Sequence, residues 1–284
     1  MFPAHAILTL ATRETAQLVD FGRHLEHLGI QSTEAEASRP GDLLHSHSPE
    51  LSDRLRSFLL TRLTSRPYVA LVQGVPLSVS PFIQLAITAL VGRPLTGLPT
   101  PKASIVHELR PSTDATADER IINESLHTDG TATASPNRYT LLGCLTPDQN
   151  GGGHSLSVDI DTIIERCPRD LLHRVLDTPM PWLIRTVERE ALIWDPILSS
   201  RPRKLRWMLY TIQSACHRFG CDTIPSLKLA HAFEAYAESL TPIIRTALAT
   251  GELLAINNTM TLHARTPVLE RMNSGRRVLR TKAG

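Results

Sequence analysis

Beyond Gly92 the sequence breaks into short apolar runs separated by turn residues, and this pattern limits the fold more than any other feature. The runs cover residues 104–109, 138–145, 155–158, 182–187, 205–209 and 253–256. Many short strands divided by turns predict a β-sandwich or barrel rather than a doubly wound sheet. One helix, over about 226–249, interrupts them. Upstream of Gly92 the period changes. Leu18, Phe21, Leu25 and Leu28 recur at helical spacing, so 14–28 reads as an amphipathic helix stopped by Gly29. Leu51, Leu55, Leu59 and Leu63 predict a second helix over 49–63. Residues 68–75 form a buried strand closed by Gly74 and Pro76, 81–91 a third helix, and 31–49 is polar and loop-like. The expectation is an α+β chain with a mostly helical layer over about 1–92 packed on a β core at 93–284. No linker-like tract divides two apolar halves, so 1–284 is expected to be a single domain.

A chain of 284 residues with 42% hydrophobic and 20% charged residues can bury a substantial core. Its formal net charge of +2 is too small to suggest a nucleic-acid or membrane surface. The basic cluster Arg201, Arg203, Lys204 and Arg206 has few aromatics among it and reads as a solvated strand edge or loop. No apolar run approaches the roughly eighteen residues of a spanning helix, and the first ten residues lack the charge and apolar length of a signal peptide. Cys144, Cys167, Cys216 and Cys221 have neither CxxC nor zinc-ribbon spacing. These features predict a reduced, cytoplasmic protein with no nucleic-acid or membrane partner. They leave its oligomeric state open.

The sharpest chemical signal is Leu126-His127-Thr128-Asp129-Gly130. In extended chain, residues i and i+2 share a face, so His127 and Asp129 could hold one metal from a single segment. An imidazole with a carboxylate suits Fe(II), Mn(II) or Zn(II). His263 follows the apolar run 253–256 and the turn-like Asn257-Asn258, and would complete a two-histidine, one-carboxylate facial triad with open positions opposite. Arg277, in Gly275-Arg276-Arg277-Val278-Leu279-Arg280, could take a carboxylate in bidentate fashion from a late strand. Gly151-Gly152-Gly153-His154-Ser155 sets a hydroxyl beside a tight turn and lacks nucleotide-loop spacing.

Taken in order, HTDG, GGGHS, LHAR and GRRVLR resemble the taurine dioxygenase and clavaminate synthase-like superfamily of Fe(II)/2-oxoglutarate oxygenases, over roughly residues 123–280. The resemblance implies a double-stranded β-helix, or jelly-roll, core with a helical N-terminal layer and a helical insert. It implies Fe(II) on His127, Asp129 and His263, with O₂ and 2-oxoglutarate as co-substrates. Arg277 matches the arginine that binds the far carboxylate of 2-oxoglutarate, and Ser155 falls where the family usually has a supporting threonine. Arg280 and Asn123 match substrate-contacting positions of some relatives. Halogenating relatives replace the carboxylate ligand by glycine or alanine, so Asp129 favours hydroxylation, with desaturation or ring closure as alternatives at the same site. The substrate implied is a small polar molecule, an amino acid or a natural-product intermediate, with succinate and CO₂ released.

Two other classes use the same residues. A zinc hydrolase could use His127, Asp129 and His263, although it has no need of an arginine and hydroxyl set for a dicarboxylate. A non-catalytic barrel would serve as a binding module, against which the intact ligand set argues. His45 and His47 share an i, i+2 spacing in a polar stretch with no acid to complete a site. His107-Glu108 lies on an expected strand that points one of the two inward.

Overall fold

The computed structural model describes residues 2–30, 33, 36–96, 104–111, 124–186, 188–220, 224–269 and 275–284. Helices α1 (Thr12–His27), α2 (Arg39–His47), α3 (Pro49–Leu63) and α4 (Phe82–Ala89) form one layer. The Glu14 carboxylate accepts the Ala11 N–H at 2.8 Å and so caps α1. The expected helices 14–28, 49–63 and 81–91 are present within a few residues. The stretch read as a loop contains α2, which has only Leu43 and Leu44 as large apolar residues and is held by burying Pro40, Gly41 and Leu44.

The strands are β1 (Ile7–Thr9), β2 (Val69–Gln73), β3 (Pro94–Leu95), β4 (His107–Leu109), β5 (Tyr139–Thr146), β6 (Ser155–Asp159), β7 (Pro179–Arg185), β8 (Glu190–Pro196), β9 (Leu198–Ser200), β10 (Arg203–Leu205), β11 (Ile244–Thr246), β12 (Leu253–Asn257), β13 (Thr261–Arg265) and β14 (Arg277–Ala283). The larger sheet runs β1-β2-β12-β5-β14-β3, with β4 also on β14, and a smaller sheet runs β11-β6-β13. The helical segment thus lends β1 and β2 to the larger sheet. The chain passes from one sheet to the other between β5 and β6, and again between β12 and β13, as a double-stranded β-helix requires.

Alternation along the strands sorts side chains into layers. Ala70, Val72, Tyr139, Leu141, Leu253, Ala255 and Ala283 pack with Leu18, Phe21, Leu55, Leu59 and Ile83 of the helical layer. Their alternates Val69, Leu71, Cys144, Leu254 and Ile256 meet Ile244 and Leu248 between the sheets. Val158 and Leu262 face away from that interior. They join a core with Trp182 of β7, Trp207 just ahead of α7 (Leu209–Phe219) and Phe233 of α8 (Ile224–Ser239), and with Ile160 and Ile163 of α5 (Ile160–Arg166). The helix α6 (Arg169–Val175) lies between α5 and β7 in the chain.

Two expected elements shift. The expected strand 205–209 ends at Leu205, and α7 starts at Leu209. The expected helix 226–249 stops at Ser239, because Pro242 cannot continue it, and Ile244–Thr246 pairs with β6 instead.

Candidate metal centre

The segment before β5 approaches the smaller sheet at one point. The His127 N–H donates to the His263 carbonyl at 3.0 Å and the His263 N–H donates back at 2.9 Å. Directly opposed residues of an antiparallel bridge project to the same face, so the two imidazoles meet, with ring centroids 4.8 Å apart. Asp129, two residues on, joins them. The potential ligand atoms of His127, Asp129 and His263 all lie within 4.8 Å of one another, in a buried position.

The local chain is pinned by its own polar groups. The Asn258 amide accepts the Asp129 N–H at 2.6 Å and donates to the carbonyls of Asp129 (3.0 Å) and Asn137 (2.7 Å). Thr128 donates its N–H to the Trp207 carbonyl at 2.8 Å, and its hydroxyl accepts the Trp207 N–H at 2.9 Å. Gly130 follows with φ +71°, where a Cβ would lie 3.0 Å from Asn137 Oδ1.

The donor set suits a divalent ion. His127 Nδ1 lies 2.8 Å from the Ser125 carbonyl, which fixes the proton there and leaves Nε2 for a metal. Burial, reinforced by neighbouring His263, pushes the His127 pKa down to about 4, so the ring is neutral at pH 7. Burial alone would raise Asp129, but the Lys282 ammonium, with His263, holds it well below the usual carboxylate range. Lys282 Nζ is 3.0 Å from Asp129 Oδ1, and the Thr140 hydroxyl donates to Oδ2 at 2.7 Å. His263 Nε2 stands 3.6 Å from Oδ2. Ser157, the register partner of His263, has a buried hydroxyl with no protein partner, as does His263 Nδ1.

The other expected residues divide. Ser155 is buried on β6, on the same strand face as Ser157 and opposite Arg265. Arg280 alternates with Lys282 on β14 and faces inward, its Nε buried without a protein partner. His107 is the register partner of Arg280, and its buried Nε2 has no protein partner either. Asn123 lies outside the described residues. Arg277 is not brought to the triad. It shares the outer face of β14 with Leu279 and Thr281, is 45% exposed, and donates to Glu108 at 2.6 and 3.2 Å. That pairing, together with Arg110, pulls the Glu108 pKa down to about 2. The inward arginine at this end is Arg276, half-buried, with desolvation and the nearby Arg265 charge pulling its pKa down. It lies against Gly153, where a Cβ would stand 2.7 Å from Arg276 Nε and φ is +67°. Together with Cys144, Asp148, His154 and Leu248 it lines a cavity of about 40 Å³. Arg276, Thr140, Asn258 and Lys282 were not singled out from the sequence. Only the alternation of Val278, Arg280 and Lys282 along a strand could have pointed to the last.

Comparison with known proteins agrees with this architecture. A family profile described as "Taurine catabolism dioxygenase TauD, TfdA family" matches residues 31–282. No curated protein sequence matches. Among solved structures, an asparagine oxygenase in complex with Fe(II), 2S,3S-3-hydroxyasparagine and succinate superposes with a TM-score of 0.71 at 15% identity, over 97% of this chain and 92% of that one. The non-heme iron oxygenase OrfP with Fe, succinate and (3S)-hydroxy-L-Arg gives 0.72 at 14% identity, over 98% and 94%. OrfP with Fe and alpha-ketoglutaric acid gives 0.72 at 16% identity over the same shares. At these identities the likeness establishes the jelly-roll fold.

Proposed function

Since the chain belongs to the TauD/TfdA family and is a non-haem iron, 2-oxoglutarate-dependent oxygenase, we propose that it hydroxylates an unactivated C–H bond of a small polar substrate, releasing succinate and CO₂. The observation that carries this reading is the buried triad of His127, Asp129 and His263, whose potential ligand atoms lie within 4.8 Å of one another. In this role the three side chains hold Fe(II). The bound iron supplies the redox chemistry that couples O₂ and 2-oxoglutarate decarboxylation to C–H oxidation.

The remaining roles belong to the inward faces of β6 and β14. Arg276 replaces Arg277 as the cation for the far carboxylate of 2-oxoglutarate, supported by Ser155 on β6. Arg280 faces the interior with a buried, unsatisfied Nε and is placed to meet a carboxylate of the substrate. Asn123 is retained as a second substrate contact on the strength of the sequence resemblance. The apolar lining between the sheets limits water around the reacting groups. The hydroxylated amino acids in the asparagine oxygenase and OrfP complexes support an amino acid, or an amino-acid-like intermediate, as the substrate. Cys144, Cys167 and Cys216 are free thiols, which supports a reducing, cytoplasmic setting. The full length of the chain is read as one oxygenase domain.

The test is an anaerobic titration of the apo-protein with Fe(II) and then 2-oxoglutarate, followed by an aerobic screen of free amino acids. A visible charge-transfer band, then substrate-dependent succinate release with a product heavier by one oxygen atom, is the expected result. Metal binding without any 2-oxoglutarate-dependent band would remove the co-substrate assignment. An unoxygenated product with two fewer hydrogens would move the reaction to desaturation or ring closure.

A further inference from the structure

We propose that Lys282 is a built-in counter-charge to the metal-ligand carboxylate, which weakens the hold on the ion and favours its divalent over its trivalent state. The proposal rests on the assignment of His127, Asp129 and His263 as metal ligands. Nothing in the reaction as derived above uses Lys282.

The placement follows from strand geometry. Lys282 and Thr140 are register partners across β14 and β5, so both project from one face of the larger sheet. From there they grip the two oxygens of Asp129 separately: Nζ lies 3.0 Å from Oδ1 and the Thr140 hydroxyl 2.7 Å from Oδ2. Lys282 is itself buried. A buried ammonium is expensive unless compensated, and Asp129 is the carboxylate that compensates it. Its other charged neighbour, Arg280, is of the same sign.

Two consequences follow for an ion at the triad. Oδ1 carries the charged partner and Oδ2 only the neutral Thr140 hydroxyl, so Asp129 offers the ion chiefly Oδ2, the oxygen nearer His263 Nε2. One-oxygen ligation leaves more of the coordination sphere for co-substrate and O₂. Second, Asp129 is the sole anion of the three ligands, and the ion must share it with a fixed positive charge a few ångströms away. Coulomb repulsion scales with the charge of the ion, so the trivalent state suffers more than the divalent one. Lys282 acts through Asp129 and is therefore a positioning residue.

A role confined to holding Asp129 in place makes the opposite prediction, which makes the proposal testable. Apo-protein of wild type, Lys282→Met, Lys282→Gln and Asp129→Ala is titrated with Co(II) alone by calorimetry, with folding checked by circular dichroism. Lys282→Gln keeps a hydrogen-bond donor for Oδ1 and removes only the charge, so it covers the case in which Lys282→Met fails to fold. The expected result is Co(II) binding tighter by roughly tenfold or more in the charge-removing variants. In the Fe-loaded proteins the Fe(III)/Fe(II) potential shifts to more negative values. Equal or weaker Co(II) binding in Lys282→Gln, or an unmoved potential, overturns the proposal. Failure of the wild type to bind Co(II), or retention of binding by Asp129→Ala, would instead overturn the ligand assignment beneath it.

Discussion

Neighbouring arginines on β14 give the most demanding test of the co-substrate site, because one substitution should do nothing where its neighbour does a great deal. Arg277 is solvent-facing and tied to Glu108 on the outer face of the sheet. Arg277→Ala should leave 2-oxoglutarate affinity where it is. Arg276 is half-buried beside the glycine loop that leads into Ser155. Losing its charge-assisted hydrogen bonds to a carboxylate removes about 2–3 kcal/mol of binding. That corresponds to roughly 30- to 150-fold weaker 2-oxoglutarate binding. Arg276→Met keeps most of the side-chain volume and limits collapse of the cavity. The assay is the anaerobic dissociation constant of 2-oxoglutarate on the Fe(II)-loaded protein, read from the visible band, with the Fe(II) affinity measured in parallel. A large loss in Arg277→Ala with none in Arg276→Met would refute the strand-parity reasoning. Equal losses in both would show that the end of β14 rearranges when the ligand binds.

Four further outcomes follow from the same geometry. Gly153→Ala forces a Cβ to within 2.7 Å of Arg276 Nε at a positive φ. It should destabilise the fold by about 1–3 kcal/mol and weaken 2-oxoglutarate binding through displacement of Arg276; unchanged binding would separate the loop from the arginine. Asp129→Ala should abolish Fe(II) binding and hydroxylation. It should also lower apo-protein stability by about 3 kcal/mol, since it strands the Lys282 ammonium, and denaturant unfolding with an unmoved midpoint would contradict the ion pair. Asn258→Ala leaves the Asp129 N–H and two carbonyls without their partner and should cost about 2–4 kcal/mol, read by the same unfolding curves. Finally, the His127 pKa near 4 lies below the roughly 6.5 of an unfolded histidine. The unfolded chain binds the extra proton first, so this contribution is complete above pH 6.5 and fades as pH falls towards 4. It amounts to about 3 kcal/mol in the apo-protein. A His127→Gln variant with the same acid limb as wild type would assign that loss elsewhere.

The sequence by itself determined the elements whose information is local. The leucine repeats of α1 and α3 fixed those helices, because a 3.6-residue period needs no partner to be legible. The HTDG spacing and a later histidine were enough to nominate His127, Asp129 and His263, since metal ligation restricts residue type severely. Short strands with turns between them announced a β core, yet not which strand pairs with which. Tertiary structure decided what depends on partners distant in the chain. It made a helix of 39–47, which has only Leu43 and Leu44 as large apolar residues and gains its stability by burial in the helical layer. It ended α8 before Pro242 and gave 244–246 to the smaller sheet. Above all it set the parity of β14. Two adjacent arginines are chemically alike in a sequence, and an irregularity in register between Arg277 and Val278 lies where the strand begins. Pairing with β5 and β4 turned Arg277 towards Glu108 and turned Arg280 and Lys282 inward, and Arg276 settled against Gly153. A side chain's face is a property of the sheet it joins, and the sheet exists only once the whole chain has folded.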